Sequence, residues 1–325
     1  MDFRLALDPV QLADKIDIRD RIFLVGSCFT EHMSTRLANH KFSTCENPHG
    51  ILFNPASICH SIRDCINRKT YTREDLFDDQ GIWSSWDFHS RFSHMEPGQA
   101  LQSMNASVAS AHEALRSSKW IIVTLGSAFV YQLGSGRVVA NCNKAPSSLF
   151  TKRLLGPEEV ISGLDTIIHQ LRVFNPGIQV LLTVSPVRHL REGLVENNRS
   201  KAVLIHCVHQ LVSKFDDIHY FPAYELVIDD LRDYRFYAED MVHPNYQATR
   251  YVWDKFTEAC ISPASRQVIK EIQALRTSMA HKPLHPGSPT HRAFLQKQKI
   301  IAEDLSARYP YLDFSEEISY FSGEA

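Results

Sequence analysis

The sequence predicts an α/β protein: a three-layer α/β/α sandwich with a central, mostly parallel sheet, followed by a helical C-terminal extension. Short, continuously apolar runs rich in β-branched residues recur along the chain, as they do in the buried strands of parallel sheets. Segments with helical periodicity lie between these runs. Strands that alternate with helices form βαβ units, which place helices on both faces of one sheet.

Five segments are predicted to be strands of this sheet. Four of them are largely apolar and short enough to cross one sheet, and the other, residues 42–45, is more polar. In chain order, the predicted strands are residues 22–25, 42–45, 121–125, 180–184 and 218–221.

Start signals and periodicity place the helices. Asn54 followed by Pro55 is typical of a helix start, with the asparagine as cap and the proline at the first helical position. Further helices are predicted over residues 30–39, directly after the first strand, and over residues 245–256, where apolar side chains recur every four positions.

The chain changes character near residue 262, so we predict a main domain over residues 1–261 and a helical extension over residues 262–325. Two amphipathic helices are predicted in the extension, around residues 269–275 and 294–305, with a proline-rich stretch between them. Their apolar faces need cover, which the main domain or a second copy of the chain in a homo-oligomer can supply.

Composition narrows the classes of function. The 325 residues carry a formal net charge of −2, and 44% of them are hydrophobic. A nucleic-acid or anionic-membrane partner is disfavoured, because both usually require a basic surplus. Residues 1–4 do not resemble a secretory leader, and no apolar run reaches the roughly 18 residues of a membrane span. A cytoplasmic protein that acts on a small molecule or a polymer is expected.

The seven cysteines are odd in number and irregularly spaced. They fit neither a disulfide framework nor the paired Cys-x-x-Cys hooks of a zinc site, so most are expected to be reduced and buried. Histidine pairs such as His206 and His209 lack an accompanying acidic or cysteine ligand. We therefore predict no metal and no cofactor.

Asp240 stands three residues before His243, at a turn that leads into a helix. This spacing lets the carboxylate bond one ring nitrogen of the histidine and fix its tautomer, while the other nitrogen faces a nucleophile. Nucleophile candidates follow the first strand, where the turn Gly26-Ser27-Cys28 carries a hydroxyl and a thiol. Sites in parallel sheets lie at the carboxyl ends of the strands, so both segments are expected there.

Arg188 and His189 follow the predicted strand at residues 180–184. They can hold an anionic group of a substrate, since arginine binds carboxylates and phosphates through two parallel hydrogen bonds. A structural ion pair of Arg188 with an acidic residue of segment 225–230 is an equally open alternative.

Seven short motifs follow one another along the chain. The first is Gly26-Ser-Cys-Phe-Thr30 and the last is Asp240-Met-Val-His-Pro244. Between them stand Asn47-Pro-His-Gly-Ile-Leu-Phe-Asn-Pro55, Thr124-Leu-Gly-Ser-Ala-Phe-Val-Tyr131, Asn141-Cys-Asn-Lys144, Thr183-Val-Ser-Pro-Val-Arg-His189 and Asp233-Tyr-Arg-Phe-Tyr237. Together they resemble the GSCFA family, which is named for its N-terminal motif, and the resemblance extends from about residue 23 to residue 256.

That family resembles the SGNH/GDSL hydrolases, flavodoxin-like sandwiches with a nucleophile after the first strand and an Asp-x-x-His segment near the C-terminus. The resemblance implies a triad of Cys28, His243 and Asp240, because alignment of the superfamily turn Gly-Asp-Ser-Leu puts Cys28 at the position of the nucleophilic serine. Ser27 as nucleophile stays open, as does Cys28 as a small buried side chain without chemistry. A thiol at a helix N-terminus and near a histidine is expected to have a lowered pKa.

Backbone N–H groups near the nucleophile are expected to stabilise an oxyanion, and Gly50 and Gly126 are the candidates. Either can instead be a turn glycine. The Gly-x-Asn block of the superfamily ends in Ala128 here, so its asparagine donor is absent. Asn141 or Asn143 can substitute, although the family more often has histidine at position 143.

The sequence therefore predicts an esterase-like hydrolase or an acyltransferase that acts on the acyl ester of a small molecule or glycan. Cys28, or else Ser27, attacks the acyl carbon, His243 carries the proton, and Asp240 orients His243. The alternative is a catalytically inactive module that binds an acylated ligand or a protein partner, which the missing Gly-x-Asn donor favours.

Overall fold

A five-stranded parallel sheet stands at the centre of the protein, whose computed structural model describes residues 5–323. The strands of these residues are β1 (Arg21–Gly26), β2 (Ser43–Glu46), β3 (Phe77–Asp79), β4 (Ile82–Ser84), β5 (Trp120–Leu125), β6 (Phe129–Leu133), β7 (Val138–Val139), β8 (Phe150–Leu154), β9 (Gln179–Val184) and β10 (Ile218–Phe221). The central sheet has the order β10-β9-β5-β1-β2, with every neighbouring pair parallel. All five predicted strands are confirmed, each within one residue at either end.

The helices begin largely where the sequence places its start signals. They are α1 (Cys28–Asn39), α2 (Pro55–Asn67), α3 (Pro97–Ser117), α4 (Pro157–Phe174), α5 (Gly193–Lys214), α6 (Ala223–Glu225), α7 (Tyr246–Cys260), α8 (Pro263–Met279), α9 (Pro289–Arg308) and α10 (Ser315–Ser322). Asn54 caps α2 and Asn245 caps α7, each through its side-chain oxygen. Helix α1 begins at Cys28, two residues earlier than predicted, because Ser27 caps it.

Both faces of the central sheet are buried under helices. Successive side chains of a strand point to opposite faces. On β1, Ile22 and Leu24 lie in a core with α1, α7 and α8, while Phe23 and Val25 lie in a second core with α2, α4 and α5. The predicted three-layer α/β/α sandwich is therefore confirmed.

Two small antiparallel sheets are not predicted by the sequence: the β3–β4 hairpin and the three-stranded sheet β7-β6-β8. Their strands span two to five residues and carry too little apolar alternation to form a pattern. The hairpin turn has positive φ at Gln80 and Gly81, which suits a two-residue loop between twisted strands.

The C-terminal helices share a core with one face of the sheet. Both predicted helices are present as α8 and α9, and α10 is an addition. Leu305, Phe314 and Phe321 are buried in the core that also holds Ile22 of β1. A domain boundary at residue 262 stays a prediction. No helix within the described residues is long and apolar enough to cross a membrane.

Candidate active site at the carboxyl edge of the sheet

The turn that joins β1 to α1 passes close against β5. Gly26 has φ +146°, and a Cβ there would collide with the carbonyl oxygen of Thr124 on β5. Glycine fits this position because it has no Cβ. The Ser27 N–H donates to the same carbonyl at 3.2 Å, which fixes the turn at the carboxyl end of the sheet.

Ser27 and Cys28 differ in exposure although they are adjacent. Ser27 is fully buried, and its hydroxyl accepts the Phe29 N–H at 3.3 Å as the cap of α1. Cys28 is the first residue of α1 and is only half-buried. The thiol is therefore the more accessible of the two predicted nucleophiles.

The surroundings of Cys28 keep its thiol protonated. Burial raises the pKa of the Cys28 thiol, and the N–H groups of Phe29 and Cys28 and the Lys201 ammonium offset this only in part. The expected lowering of this pKa is wrong in direction, because desolvation outweighs the helix terminus. A thiol that is protonated at neutral pH needs a base before it can attack.

Asp240 and His243 form the hydrogen bond that their spacing predicts. Asp240 Oδ2 lies 2.6 Å from Nδ1 of the His243 ring, and Oδ1 accepts the N–H groups of Val242 and His243 at 2.9 and 3.0 Å. The Ala238 N–H closes the loop by donating to the His243 carbonyl at 2.8 Å. The hydrogen bonds from the His243 N–H, the His243 ring and the Val242 N–H lower the pKa of Asp240 to about 2.

The ionised Asp240 fixes the tautomer of His243. A carboxylate only accepts hydrogen bonds, so Nδ1 of His243 carries the proton that the two groups share. Nε2 is then the ring nitrogen that can accept a proton. The His243 side chain is 43% exposed, so a substrate can reach it.

Arg188 joins the loop of His243 to the loop that follows β9. Its N–H donates to the Val242 carbonyl at 3.2 Å, and its Nη1 donates to the Met241 carbonyl at 3.2 Å. The guanidinium also lies 3.9 Å from the centre of the Tyr237 ring. Arg188 therefore holds the histidine loop in place. The sequence predicts neither of these two hydrogen bonds. The binding of an anionic group by Arg188 stays a prediction.

The histidine loop lies near both α1 and the loop after β9. Partial desolvation lowers the pKa of His32, on α1, although this residue is exposed, and burial lowers the pKa of His189, after β9; the charge of the nearby His243 lowers both pKa values further. His32 stands about one helical turn beyond Cys28. His32 and the segment that follows His243 line the same cavity, and the Arg188 N–H donates to Val242, so the first turns of α1, the loop after β9 and the Asp240–His243 pair lie at one edge of the sheet.

His189 is a neutral group at physiological pH. Burial first, and then the charges of Lys201, His243 and Lys152, lower the pKa of His189 to about 3. Its Nε2 is buried without a hydrogen-bond partner in the described part of the chain, and it faces Gly126. A neutral ring has no positive charge with which to attract an anion. The His189 ring is therefore better suited to a hydrogen bond with a substrate than to the anion binding that the sequence predicts.

The two glycines predicted as oxyanion donors already donate within the fold. The Gly50 N–H donates to the Asn47 carbonyl at 2.7 Å, and the Gly126 N–H donates to the Phe53 carbonyl at 2.8 Å. Each N–H group carries a single proton, so in this arrangement neither is free for a substrate oxygen. Gly50 is a turn glycine with φ +82°, which is the alternative left open for it.

Asparagine side chains offer a different donor. Asn143 is engaged, because its amide donates to the carbonyls of Ser85 and Asn141 at 3.0 and 3.3 Å. Asn47 is fully buried, and its Oδ1 accepts the Gly26 N–H at 2.9 Å. Its Nδ2 has no partner among the described residues. Asn47 therefore places an unused N–H donor beside the turn, although the sequence singled it out only as part of a motif.

Lys201 is a second residue that sequence reasoning missed. It is 1% exposed, and its Nζ donates to the carbonyls of Gly126 and Ser185, both at 2.6 Å, at the ends of β5 and β9. Burial lowers the pKa of Lys201 to about 7, against an opposing effect of the charge of Cys28. The signal was present, because Lys201 falls on the buried stripe of α5 with Leu204.

A histidine and two aspartates also converge, although the sequence does not predict a metal site. The ligand atoms of His60, Asp64 and Asp87 lie within 4.8 Å of one another, close enough to share an ion. Arg137 lies 2.8 Å from Asp87, and Lys69 lies within 4.0 Å of both carboxylates. These cations neutralise the carboxylates, so the cluster is described best as a buried network of ion pairs.

The fold and the site define an α/β/α sandwich protein with a cysteine turn and an Asp–His pair at the carboxyl edge of its sheet. The chain belongs to the GSCFA family: the sequence model of the GSCFA family matches residues 21–256, and that of the GSCFA domain protein, C-terminal domain, matches residues 272–324. No curated protein sequence matches the chain.

Several solved structures resemble the chain weakly. A carbohydrate esterase family 3 protein from Talaromyces cellulolyticus is 9% identical over 78% of this chain and 99% of its own, with a TM-score of 0.36. A Clostridium thermocellum family 3 carbohydrate esterase is 11% identical over 79% and 98%, with a TM-score of 0.35. An acetyl xylan esterase from the rumen bacterium Butyrivibrio proteoclasticus is 10% identical over 82% and 66%, with a TM-score of 0.34. Likeness this weak does not carry an activity over to this chain.

Proposed function

We propose that this protein is an esterase-like hydrolase or an acyltransferase that acts through Cys28, His243 and Asp240. The observation that carries the proposal is the 2.6 Å contact between Asp240 and His243, in a loop at the edge of the sheet where the half-buried Cys28 lies. Such a pair presents Nε2 of the histidine as a general base. The burial of Ser27 and its use as a helix cap support Cys28 over Ser27.

The reaction takes two steps in this proposal. The Cys28 sulfur attacks the acyl carbon of an ester while the thiol proton passes to His243 Nε2. The bond to the leaving alcohol then breaks, the alcohol takes that proton, and the acyl group stays on sulfur as a thioester. Water or an acceptor hydroxyl next attacks the thioester and gives its proton to His243, from which the proton returns to sulfur. The identity of this acceptor separates a hydrolase from a transferase.

The substrate we propose is an acyl ester of a small molecule or a glycan. A cavity of about 360 Å³ lies beside His189 and is lined by Tyr131 and Asn141. Its volume is within the range of small-molecule sites. No cofactor is needed, because the thiol, the imidazole and the carboxylate supply the nucleophile, the base and its orienting group.

The test is the turnover of 4-nitrophenyl acetate by the native protein and by single variants. Cys28→Ala and His243→Ala should each lower the rate by on the order of 10²-fold or more, and Ser27→Ala should not. Peptide mass mapping of the native protein should find the acyl group on Cys28. The half-buried Cys45 and the exposed His169 provide matched controls as Cys45→Ala and His169→Ala, which should keep the native rate.

One observation favours the alternative of a catalytically inactive binding module. The Gly50 and Gly126 N–H groups are engaged, so the donors that an acyl-transfer site needs are not preformed. In that case the native protein and all variants above would show the same background rate with the activated ester. The same rate in Cys28→Ala and the native protein would therefore overturn the enzymatic proposal.

A further inference from the structure

We propose that the substrate is anionic, and that a groove of basic side chains beside the site binds its carboxylate or phosphate groups. That the bound molecule is an acyl ester rests on the proposed function. The binding of an anion by the groove can be tested without any turnover.

The groove consists of two adjoining cavities of about 530 and 480 Å³ between α1, α7 and α8, and we call it the basic groove. Both cavities are lined by Arg36, His40 and Tyr246. Five cationic side chains line the groove: Arg36, Arg250, Arg266, Lys270 and Arg276. Asp254 is the only acidic residue in the lining within the described part of the chain.

The positive charge of the basic groove is compensated only in part by Asp254. Among the ion pairs of residues 5–323, a 4.0 Å contact between Arg250 and Asp254 is the only one that involves a cation of the groove. Arg36 is half-buried and donates to the hydroxyl of Thr249, a neutral group, at 3.3 Å. Several unpaired cations in one concavity favour the binding of an anion. The chain as a whole carries a net charge of −2, so this concentration is local.

The basic groove begins at the candidate active site. Its nearer cavity is lined by His32 and by the segment from Pro244 to Tyr246, which directly follows His243. Arg36 stands eight residues beyond Cys28 on α1, roughly 12 Å along the helix axis. An ester bound at Cys28 can therefore reach Arg36 only if it is part of an extended molecule. The geometry fits an acidic oligosaccharide or a similar chain whose anionic groups lie about this far from the ester.

A short acidic chain fits better than a nucleic acid. A long polyanion would meet a surface that is net negative outside the groove, which weakens its binding. The indole of Trp253 is 5% exposed and is stacked on His40 at 5.2 Å, so it offers no face to a base. The ring of Tyr246 is exposed but lies 5.6 Å from the Arg36 guanidinium, so the groove, as the described residues form it, lacks the row of aromatic platforms that single-stranded nucleic acids use. The arginine guanidinium binds both carboxylate and phosphate through two parallel hydrogen bonds. The groove is therefore assigned to an anionic oxygen group of either kind.

The test is isothermal titration with four probes: tetragalacturonate, inorganic tripolyphosphate, neutral cellotetraose and a short oligothymidylate. An acidic probe should bind the native protein and Cys28→Ala with the same Kd. Lys270→Glu should weaken this binding about tenfold or more, since it reverses one charge of the groove. Lys297→Glu is the matched control, because Lys297 is also exposed, on α9, and does not line the groove. It should leave Kd unchanged.

The probes separate the possible outcomes. Preference for tetragalacturonate or for tripolyphosphate supports the inference and identifies the anionic group. The inference would be overturned if Lys270→Glu and Lys297→Glu weakened binding equally, or if no anion bound. It would also be overturned if the oligothymidylate bound more tightly than either acidic probe, or if cellotetraose bound as tightly as tetragalacturonate. Binding that is intact in a protein without esterase activity would overturn the proposed function and leave the groove standing as an anion site.

Discussion

Burial is the largest influence on the pKa values of Cys28, His189 and Lys201. The charge of Lys201 also lowers the pKa values of Cys28 and His189. Burial raises the pKa of the thiol and lowers those of the imidazole and the amine, so all three groups are shifted toward their uncharged forms. Hydrogen bonds are stronger in such a low-dielectric region. This favours a mechanism in which His243 takes the thiol proton during attack over one that begins from a preformed thiolate.

Replacement of Lys201 should change how stability depends on pH. The pKa of Lys201 falls from an ordinary value of 10.5 to about 7 in the folded protein. Between these values the unfolded chain binds the additional proton, so the contribution of Lys201 to the free energy of unfolding rises with pH. Lys201→Met removes this contribution. We expect the difference in free energy of unfolding, native protein minus Lys201→Met, to grow between pH 7 and pH 10 in urea denaturation.

The control for this experiment is Lys214→Met, at the exposed end of the same helix. Its difference from the native protein, measured over the same pH range, is the baseline. A difference for Lys201→Met that changes no more than this baseline would show that Lys201 keeps an ordinary pKa in the folded protein.

At the scale of elements, the caps decide where helices begin and what their first residues can do. The hydroxyl of Ser27 starts α1 and so places Cys28 in the first turn of the helix. Ser262 starts α8 in a similar way, since its hydroxyl accepts the Ser265 N–H at 3.2 Å. In both cases the hydroxyl satisfies an N–H group that the helix leaves without a partner.

Ser27→Ala should therefore lower stability and leave the chemistry of Cys28 in place. We expect a loss of about 1 kcal/mol in the free energy of unfolding, as for other cap replacements. Ser262→Ala should lose a similar amount, measured by urea denaturation of both variants. Acyl labelling of Cys28 should persist in both. Labelling that disappears in Ser27→Ala alone would instead make the Ser27 hydroxyl a part of the reaction.

At the scale of the whole molecule, the C-terminal helices complete the core of the sheet. Phe314 and Leu305 are each 1% exposed and pack in the same core as β1, α1 and α7. Arg276 and Lys270 of α8 also form one wall of the basic groove. The C-terminal segment thus contributes both to the fold and to the surface beside the site.

Phe314→Ala should destabilise the whole protein. Truncation of a buried phenylalanine costs about 3–5 kcal/mol, and the loss should appear in one cooperative unfolding transition because the core is shared. Leu284→Ala is the control, since Leu284 is 88% exposed, and it should change the free energy of unfolding by less than about 0.5 kcal/mol. Urea denaturation monitored by circular dichroism provides both values. A separate early transition in Phe314→Ala would show that the C-terminal helices unfold independently.

Local and strongly patterned features were predictable from the sequence. Strands β1, β5 and β9 are buried on both faces and stand out as short apolar runs, whereas the edge strand β2 is only partly buried and more polar. The Asn54 cap and the Asp240–His243 hydrogen bond each join residues three positions apart. For these contacts the spacing along the chain nearly determines the geometry.

Features that depend on distant residues were decided only by the tertiary structure. Lys201 reaches the carbonyl of Gly126, which lies 75 residues away in the sequence, and the resulting burial shifts its pKa. The Gly126 N–H is engaged by Phe53, and the basic groove joins Arg36 to helices more than 200 residues further along the chain. Desolvation and local charge depend on every neighbour in space. The sequence by itself determined which residues are candidates for the chemistry, whereas packing decided their charges and which of their donors remain free.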